Sequence, residues 1–265
     1  MTRVDHYIEQ GAGEPILFVH GSYATPSTWR RIIEGVGPGH HCIAIKLPGH
    51  GGAPEPEDFD APTIETELAL IESVVSRLTD RPIHLVGHSY GGVVALALAL
   101  KGSLPIAEMT LFEPVAVWVL KLLQDQEMVT RVEQFLAAYF EAAARQEPDA
   151  CGRVIDFWGG GELFARLPAS VQAAMVPLLD NNLRHWQICT RLDYDRAALS
   201  RCTLPTRLVC GSDSNPVAHA IIDHLARELP CSQRYQITGA NHALVTSHPE
   251  QCLAILSEPL ARSGD

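Results

Sequence analysis

Long apolar runs, paired cysteine motifs and an excess of basic residues are all missing from this chain of 265 residues. The longest apolar run extends only from Val93 to Leu100, far short of the roughly 20 residues that cross a bilayer. The chain starts with no apolar signal-peptide stretch, so we expect a cytoplasmic protein with no membrane partner. Basic residues number 20 against 31 acidic ones, a formal charge of −11. This balance disfavours nucleic acid as a partner, because a surface that binds nucleic acid must neutralise phosphates.

The seven cysteines form no C-x-x-C pair, and several lie within apolar segments. We therefore predict reduced, mostly buried thiols rather than a disulfide framework or a zinc site. The twelve histidines include no H-E-x-x-H motif, and the loop from Gly49 to Gly52 lacks the G-x-G-x-x-G spacing of a dinucleotide site. The sequence predicts no metal and no cofactor, and it leaves a homo-oligomer open.

Short apolar runs that end near glycine alternate with helical patterns. Six strands are predicted, over Pro15 to Val19, Cys42 to Ile45, Ile83 to Val86, Met109 to Phe112, Thr206 to Cys210 and Arg234 to Ile237. Crossover helices are predicted over Thr63 to Leu78, Gly91 to Lys101 and Val217 to Leu229. Because the strands are nearly continuous in apolar residues, we expect an α/β fold with a parallel sheet covered on both faces.

Between residues 115 and 200 the alternation stops and long helical patterns replace it, over Glu127 to Gln146 and Pro168 to Leu183. We predict a core domain from residues 1–114 and 201–265, with a helical cap at 115–200. Cavities at domain interfaces favour apolar and aromatic linings. The candidates for such a lining are Tyr23 from the core and Trp118, Phe157, Trp158 and Trp186 from the cap.

The strongest motif is Gly87-His88-Ser89-Tyr90-Gly91, which stands between a predicted strand and a predicted apolar helix. This is the context of a G-x-S-x-G nucleophile elbow, in which the serine hydroxyl projects from a tight, strained turn. Side chains two residues before and after the serine would collide with the turn, so glycine fits at both positions.

A serine nucleophile needs a general base, and the base needs an orienting group. Asp213 follows the predicted strand that ends at Gly211, and His242 follows the last predicted strand. The carboxyl ends of parallel strands share one edge of a sheet, so Ser89, Asp213 and His242 are the predicted triad. Acyl transfer also needs two backbone N–H groups for the oxyanion, and we assign these to Tyr90 and Ser22, with Tyr23 as the alternative to Ser22.

The sequence resembles serine α/β-hydrolases with a helical cap. The resemblance rests on the HG turn at 20–21, the LPGHG turn at 47–51, the GHSYGG elbow at 87–92, the GSD turn at 211–213 and the GANH turn at 239–242. It implies a mostly parallel sheet of about eight strands, with the cap inserted after strand six and the first strand or two near Val4 to Glu9. Some members of the superfamily take the acid from the end of strand six, so Glu113 stays open as an alternative to Asp213.

The expected function is hydrolysis of a small to medium, partly apolar ester, thioester or lactone through an acyl-enzyme on Ser89. The resemblance keeps an acyltransferase, a perhydrolase and a carbon–carbon bond hydrolase as alternatives. Tyr90 weakens the perhydrolase alternative, because perhydrolases commonly have methionine at that position. His88 weakens the carbon–carbon hydrolase alternative, because those enzymes usually have asparagine there. A ligand-binding protein on the same fold is the alternative outside enzymes.

Overall fold

The computed structural model describes residues 6–260. Within them, seven strands form one sheet in the order β1-β3-β2-β4-β5-β6-β7. The strands are β1 (Tyr7–Gln10), β2 (Glu14–Val19), β3 (His40–Ile45), β4 (Ile83–His88), β5 (Ile106–Phe112), β6 (Thr206–Gly211) and β7 (Ser232–Ile237). Only β1 runs antiparallel to its neighbour, so the carboxyl ends of the other six strands lie at one edge of the sheet.

Helices cover both faces of this sheet. Those that follow or connect its strands are α1 (Arg30–Val36), α2 (Glu65–Leu78), α3 (Tyr90–Lys101), α10 (Pro216–Glu228), α11 (Leu244–Ser247) and α12 (Pro249–Ser257). Successive strand residues point to opposite faces. Leu17 and Val19 therefore pack into one hydrophobic cluster, whereas Ile16 and Phe18 pack into the other.

Six further helices lie between β5 and β6, and we call this segment the insertion. They are α4 (Trp118–Leu122), α5 (Gln126–Ala144), α6 (Gly152–Gly159), α7 (Ala169–Met175), α8 (Leu179–Arg191) and α9 (Arg196–Arg201). The helix predicted over Pro168 to Leu183 is wrong as one element, because a short 3-10 turn at Val176–Leu178 separates α7 from α8. Pro177 in that turn lacks the N–H that a continuous helix would need.

All six predicted strands are confirmed, as are the three crossover helices. The sheet has seven strands in residues 6–260 rather than about eight. The insertion follows the strand that ends before Glu113, as predicted, and that strand is the fifth of the seven. The predicted N-terminal region supplies one strand, β1, because the turn at residues 11–13 leads directly into β2. Val4 and Asp5 of that region lie outside the described residues.

The prediction that most of the thiols are buried is confirmed, since six of the seven cysteines are buried, and no disulfide bond joins cysteines within residues 6–260. Among residues 6–260, no helix combines the length and apolar character needed to cross a membrane.

Candidate active site

Ser89 lies in a tight turn between β4 and α3, with φ 55° and ψ −122°. A Cβ atom added at Gly87 would lie 2.4 Å from the carbonyl oxygen of Gly91, and one added at Gly91 would lie 2.2 Å from that of Val19. Neither contact is tolerable, so both positions need glycine. The turn therefore has the steric requirements that the sequence motif predicts, and it holds Ser89 in a backbone conformation that is costly for a residue with a side chain.

The imidazole of His242 is oriented by Glu113. Nδ1 of His242 lies 2.7 Å from Oε2 of Glu113, and a carboxylate can only accept a hydrogen bond, so Nδ1 is the donor. Oε1 of Glu113 accepts from the backbone N–H of Gly211 at 2.7 Å and from the hydroxyl of Ser214. The neutral ring of His242 consequently has its lone pair at Nε2, which is the arrangement required of a general base.

The hydrogen-bond partners of Glu113 keep its carboxylate ionised despite its burial. Its side chain directly follows β5 and is 1% exposed. Burial alone would raise the pKa of Glu113, but the hydrogen bond and charge of His242, and then the bonds from Gly211 and Ser214, leave the pKa below its ordinary value of 4.5. The backbone of Glu113 has φ 43°, so it is a second strained residue at this edge of the sheet.

Asp213, the acid expected from the sequence, does not contact His242. Its side chain is exposed and accepts a hydrogen bond from the hydroxyl of Ser212 at 2.7 Å. Only its backbone bonds to the turn before His242, through its N–H and the carbonyl of Ala240 at 2.8 Å. The structure therefore contradicts the prediction that Asp213 contacts His242, and it places Glu113, which the sequence kept as the alternative, in that position.

Two further side chains, those of His88 and Trp158, contact His242. Nε2 of His88 donates to the backbone carbonyl of His242 at 2.8 Å. Burial lowers the pKa of His88 to about 3, so this residue stays neutral. The ring of Trp158 from α6 lies 5.2 Å from the His242 ring, centroid to centroid. Nε2 of His242 is buried and has no hydrogen-bond partner among the described residues, and His242 and Ser89 line the same cavity.

The predicted oxyanion residues flank Ser89. A Cβ atom at Gly21 would lie 2.9 Å from Cβ of Ser89 and 3.4 Å from its Oγ, so the loop that carries Ser22 passes directly against the serine. Tyr90 is the first residue of α3, where a backbone N–H has no partner within the helix. His20 shapes the loop, since its Nδ1 donates to the carbonyl of Gly21 at 2.7 Å and its Nε2 accepts from the N–H of Leu47 at 3.3 Å.

The cavity beside Ser89 has a volume of about 420 Å³ and lies between the sheet edge and the insertion. Its lining is mostly apolar: Val115, Val154, Ile155, Trp158, Leu163, Leu167, Val171, Met175, Trp186 and Val245. Among the described residues that line it, none is Asp, Glu, Lys or Arg.

Three of the five predicted pocket residues, Tyr23, Trp158 and Trp186, line this cavity. Trp118 does not, because it lies beside a separate cavity of about 470 Å³, with its ring 5.4 Å from that of Tyr194. Phe157 does not either, because its ring stacks on Phe135 at 4.1 Å within the insertion. The helical pattern gives the spacing of these rings but not the face that each helix turns to the core.

Sequence reasoning missed His185 of α8, which lines the cavity and is fully buried. Its Nδ1 lies 2.7 Å from the hydroxyl of Ser22. The surrounding stretch, Asn181 to Trp186, is rich in polar residues and resembles an exposed helix face, so no local signal marks it.

The chain is similar to known proteins in sequence and in fold. The model of the alpha/beta hydrolase family matches residues 16–255. A Haemophilus influenzae protein named as a 2-succinyl-6-hydroxy-2,4-cyclohexadiene-1-carboxylate synthase is 28% identical over 170 residues, 63% of this chain and 64% of that protein. The bovine monoacylglycerol lipase ABHD6 is 21% identical over 262 residues, 93% of this chain and 75% of the lipase.

A solved structure described as Est816, an N-acyl homoserine lactone degrading enzyme, superposes with a TM-score of 0.73. It is 19% identical, and the match covers 94% of each chain. This likeness concerns the fold. The chain spans less than two thirds of the length of the first curated relatives it matches, between 26% and 64%.

Proposed function

This chain belongs to the alpha/beta hydrolase family, and we propose that it is a serine hydrolase that cleaves an uncharged, partly apolar ester, thioester or lactone. The observation that carries the proposal is the hydrogen bond from Nδ1 of His242 to Glu113, beside a cavity that Ser89 also lines. An imidazole held in this tautomer can accept a proton at Nε2 and act as a general base.

In the proposed first step, Nε2 of His242 takes the hydroxyl proton of Ser89 while Oγ attacks the carbonyl carbon of the substrate. The backbone N–H groups of Tyr90 and Ser22 stabilise the oxyanion that forms. The imidazolium then returns the proton to the leaving oxygen or sulfur as the acyl bond breaks. In the second step, His242 activates a water that releases the acid from Ser89. Glu113 stays ionised throughout and stabilises the imidazolium.

The lining of the cavity favours a neutral substrate. Burial of a carboxylate without a cationic partner costs several kcal/mol, and no described lining residue is Lys or Arg. The Haemophilus relative is named for a carboxylate compound, so this chain differs from what that name implies. The same argument disfavours carbon–carbon hydrolysis of acidic substrates.

The first test is covalent labelling of the wild-type protein with a fluorophosphonate, together with turnover of 4-nitrophenyl esters. We expect one adduct, on Ser89, and loss of both adduct and turnover in Ser89→Ala. If each buried methylene contributes about 0.8 kcal/mol, kcat/KM should rise about fourfold per methylene from acetate to hexanoate. An unlabelled Ser89 with no ester turnover would favour the ligand-binding alternative. Accumulation of a transferred ester when alcohol is added would instead identify an acyltransferase.

A matched pair of substrates tests the charge preference. The 4-nitrophenyl monoester of succinate and 4-nitrophenyl 4-methylpentanoate have nearly the same shape, but only the first carries a carboxylate. We expect the neutral ester to have the higher kcat/KM by at least about a hundredfold, because the carboxylate would be buried unpaired. Equal values would remove the argument for a neutral substrate and leave the serine mechanism intact.

A further inference from the structure

Both residues assigned to the oxyanion hole contact one side chain of the insertion, His185. Nδ1 of His185 lies 2.7 Å from the hydroxyl of Ser22. The ring of His185 also stacks on the ring of Tyr90, with 3.7 Å between centroids and 11° between planes. Ser22 and Tyr90 line the same cavity as Ser89, so His185 bridges the two backbone segments that would donate to the oxyanion.

Packing alone does not account for a histidine at this position. The ring is 1% exposed, and it also stacks on the ring of His50, with 5.3 Å between centroids and 14° between planes. Nε2 of His185 has no hydrogen-bond partner among the described residues. Since an unpaired buried nitrogen is unfavourable, phenylalanine would fill this slot better if only the stacking mattered. Compared with a phenylalanine ring, the imidazole adds the hydrogen bond to Ser22.

The charge state of His185 suits a permanent hydrogen bond. Burial, followed by the nearby charges of His50 and Arg184, lowers the pKa of His185 well below its ordinary value of 6.5. The ring therefore stays neutral at and above pH 6.5, and its contact with Ser22 does not change with protonation in that pH range.

Helix α8, which carries His185, is tied to the core on either side of this residue. The buried guanidinium of Arg184 binds Asp58 at 2.6 Å and also binds Glu67. Asn182 accepts a hydrogen bond from the hydroxyl of Tyr139 at 2.7 Å. The same hydroxyl lies 2.8 Å from that of Tyr23, which is the neighbour of Ser22. The insertion therefore reaches the loop of Ser22 through two independent contacts.

We propose that His185 is a positioning residue that orients the oxyanion hole through Ser22 and Tyr90. The inference rests on the proposed function and deepens it, since it makes a helix of the insertion part of the apparatus that stabilises the transition state. The effect should fall on kcat rather than KM, because the oxyanion exists only in the transition state and the intermediates.

The test compares His185→Phe, which keeps the stacking and loses the bond to Ser22, with His185→Asn, whose amide can still reach Ser22. We expect His185→Phe to lower kcat for 4-nitrophenyl butyrate on the order of tenfold or more, with KM little changed, and to slow fluorophosphonate labelling of Ser89 equally. His185→Asn should recover most of kcat. Gln187→Ala, two residues along α8 and outside the cavity, is the control and should match wild type. Melting temperatures establish that each variant is folded.

A double-mutant cycle with Ser22→Ala then isolates the contact. Ser22→Ala keeps the backbone N–H and removes only the hydroxyl that His185 binds. We expect Ser22→Ala, His185→Phe and the double variant to lose the same factor in kcat. Wild-type kcat in a folded His185→Phe, or losses that multiply in the double variant, would overturn the inference while leaving the serine mechanism standing. A wild-type protein without labelling or turnover would overturn both proposals together.

Discussion

Two carboxylates follow two neighbouring strands of the sheet and end in opposite environments. Glu113 directly follows β5, is 1% exposed and accepts hydrogen bonds from His242, Gly211 and Ser214. Asp213 lies two residues beyond the end of β6, is exposed, and accepts a bond from its neighbour Ser212. Both occupy the edge where the nucleophile turn lies, so position along a strand does not decide which of them lies beside His242.

The difference lies in what surrounds each carboxylate. Gly211 and Ser214, in the turn of Asp213, both donate hydrogen bonds to Glu113, so the turn after β6 holds the carboxylate that follows β5. A carboxylate out of water interacts with an imidazolium through a lower effective dielectric than an exposed one. The buried residue is therefore the better partner for a histidine that must gain and lose a charge.

Replacement of each carboxylate by its amide should separate Glu113 from Asp213 most clearly in kcat. Glu113→Gln places an amide where Gly211 N–H can only donate, so the amide oxygen must face Gly211 and the NH₂ group must face Nδ1 of His242. That forces the proton of His242 to Nε2 and removes the general base. By analogy with triads of this kind, kcat for a 4-nitrophenyl ester should fall about 10⁴-fold.

Asp213→Asn is the matched control, because it makes the same chemical change on the exposed carboxylate. It should keep nearly wild-type kcat in the same assay. A large loss in Asp213→Asn together with an active Glu113→Gln would reverse the assignment of the acid.

The hydroxyls of Ser214 and Ser212, which donate to Glu113 and Asp213, allow the two carboxylates to be compared through the free energy of unfolding. Ser214→Ala removes a hydrogen bond to a buried charge, so the free energy of unfolding should fall by about 1.5–3 kcal/mol. Ser212→Ala removes a bond to an exposed carboxylate and one from the exposed backbone N–H of Gly239. Both groups can bond to water instead, so the substitution should cost less than about 1 kcal/mol. Urea unfolding of both variants at pH 7 measures the difference. Equal losses would mean that burial of Glu113 does not strengthen its hydrogen bonds.

The nucleophile turn could be predicted from sequence because its requirement is local. Glycines at 87 and 91 are dictated by backbone atoms within a few ångströms of the turn, and a short motif records that requirement. The strands were predictable for a similar reason, since burial on both faces leaves nearly continuous apolar runs.

The acid and the insertion contacts could not be predicted in this way. The contact of Glu113 with His242 joins residues 129 positions apart, and that of Ser22 with His185 joins residues 163 positions apart. Which carboxylate faces inward depends on how two turns pack, and not on the residue type at either. The break at Pro177 is different, because its signal is present in the sequence: proline lacks the N–H that a continuous helix would need.

The smallest expected effect is the pH dependence of stability. The pKa of Glu113 in the folded protein lies below its ordinary value of 4.5. Its ionised form therefore contributes stability that is fully present above pH 4.5 and is lost as the pH falls through the folded pKa. The difference in unfolding free energy between wild type and Glu113→Gln should shrink as the pH is lowered from 5 toward 3. Urea unfolding of both proteins at each pH measures this difference. A Glu113→Gln difference that is independent of pH would mean that the carboxylate gains nothing from its partners on folding, and the contrast between the two acids would then rest on position alone.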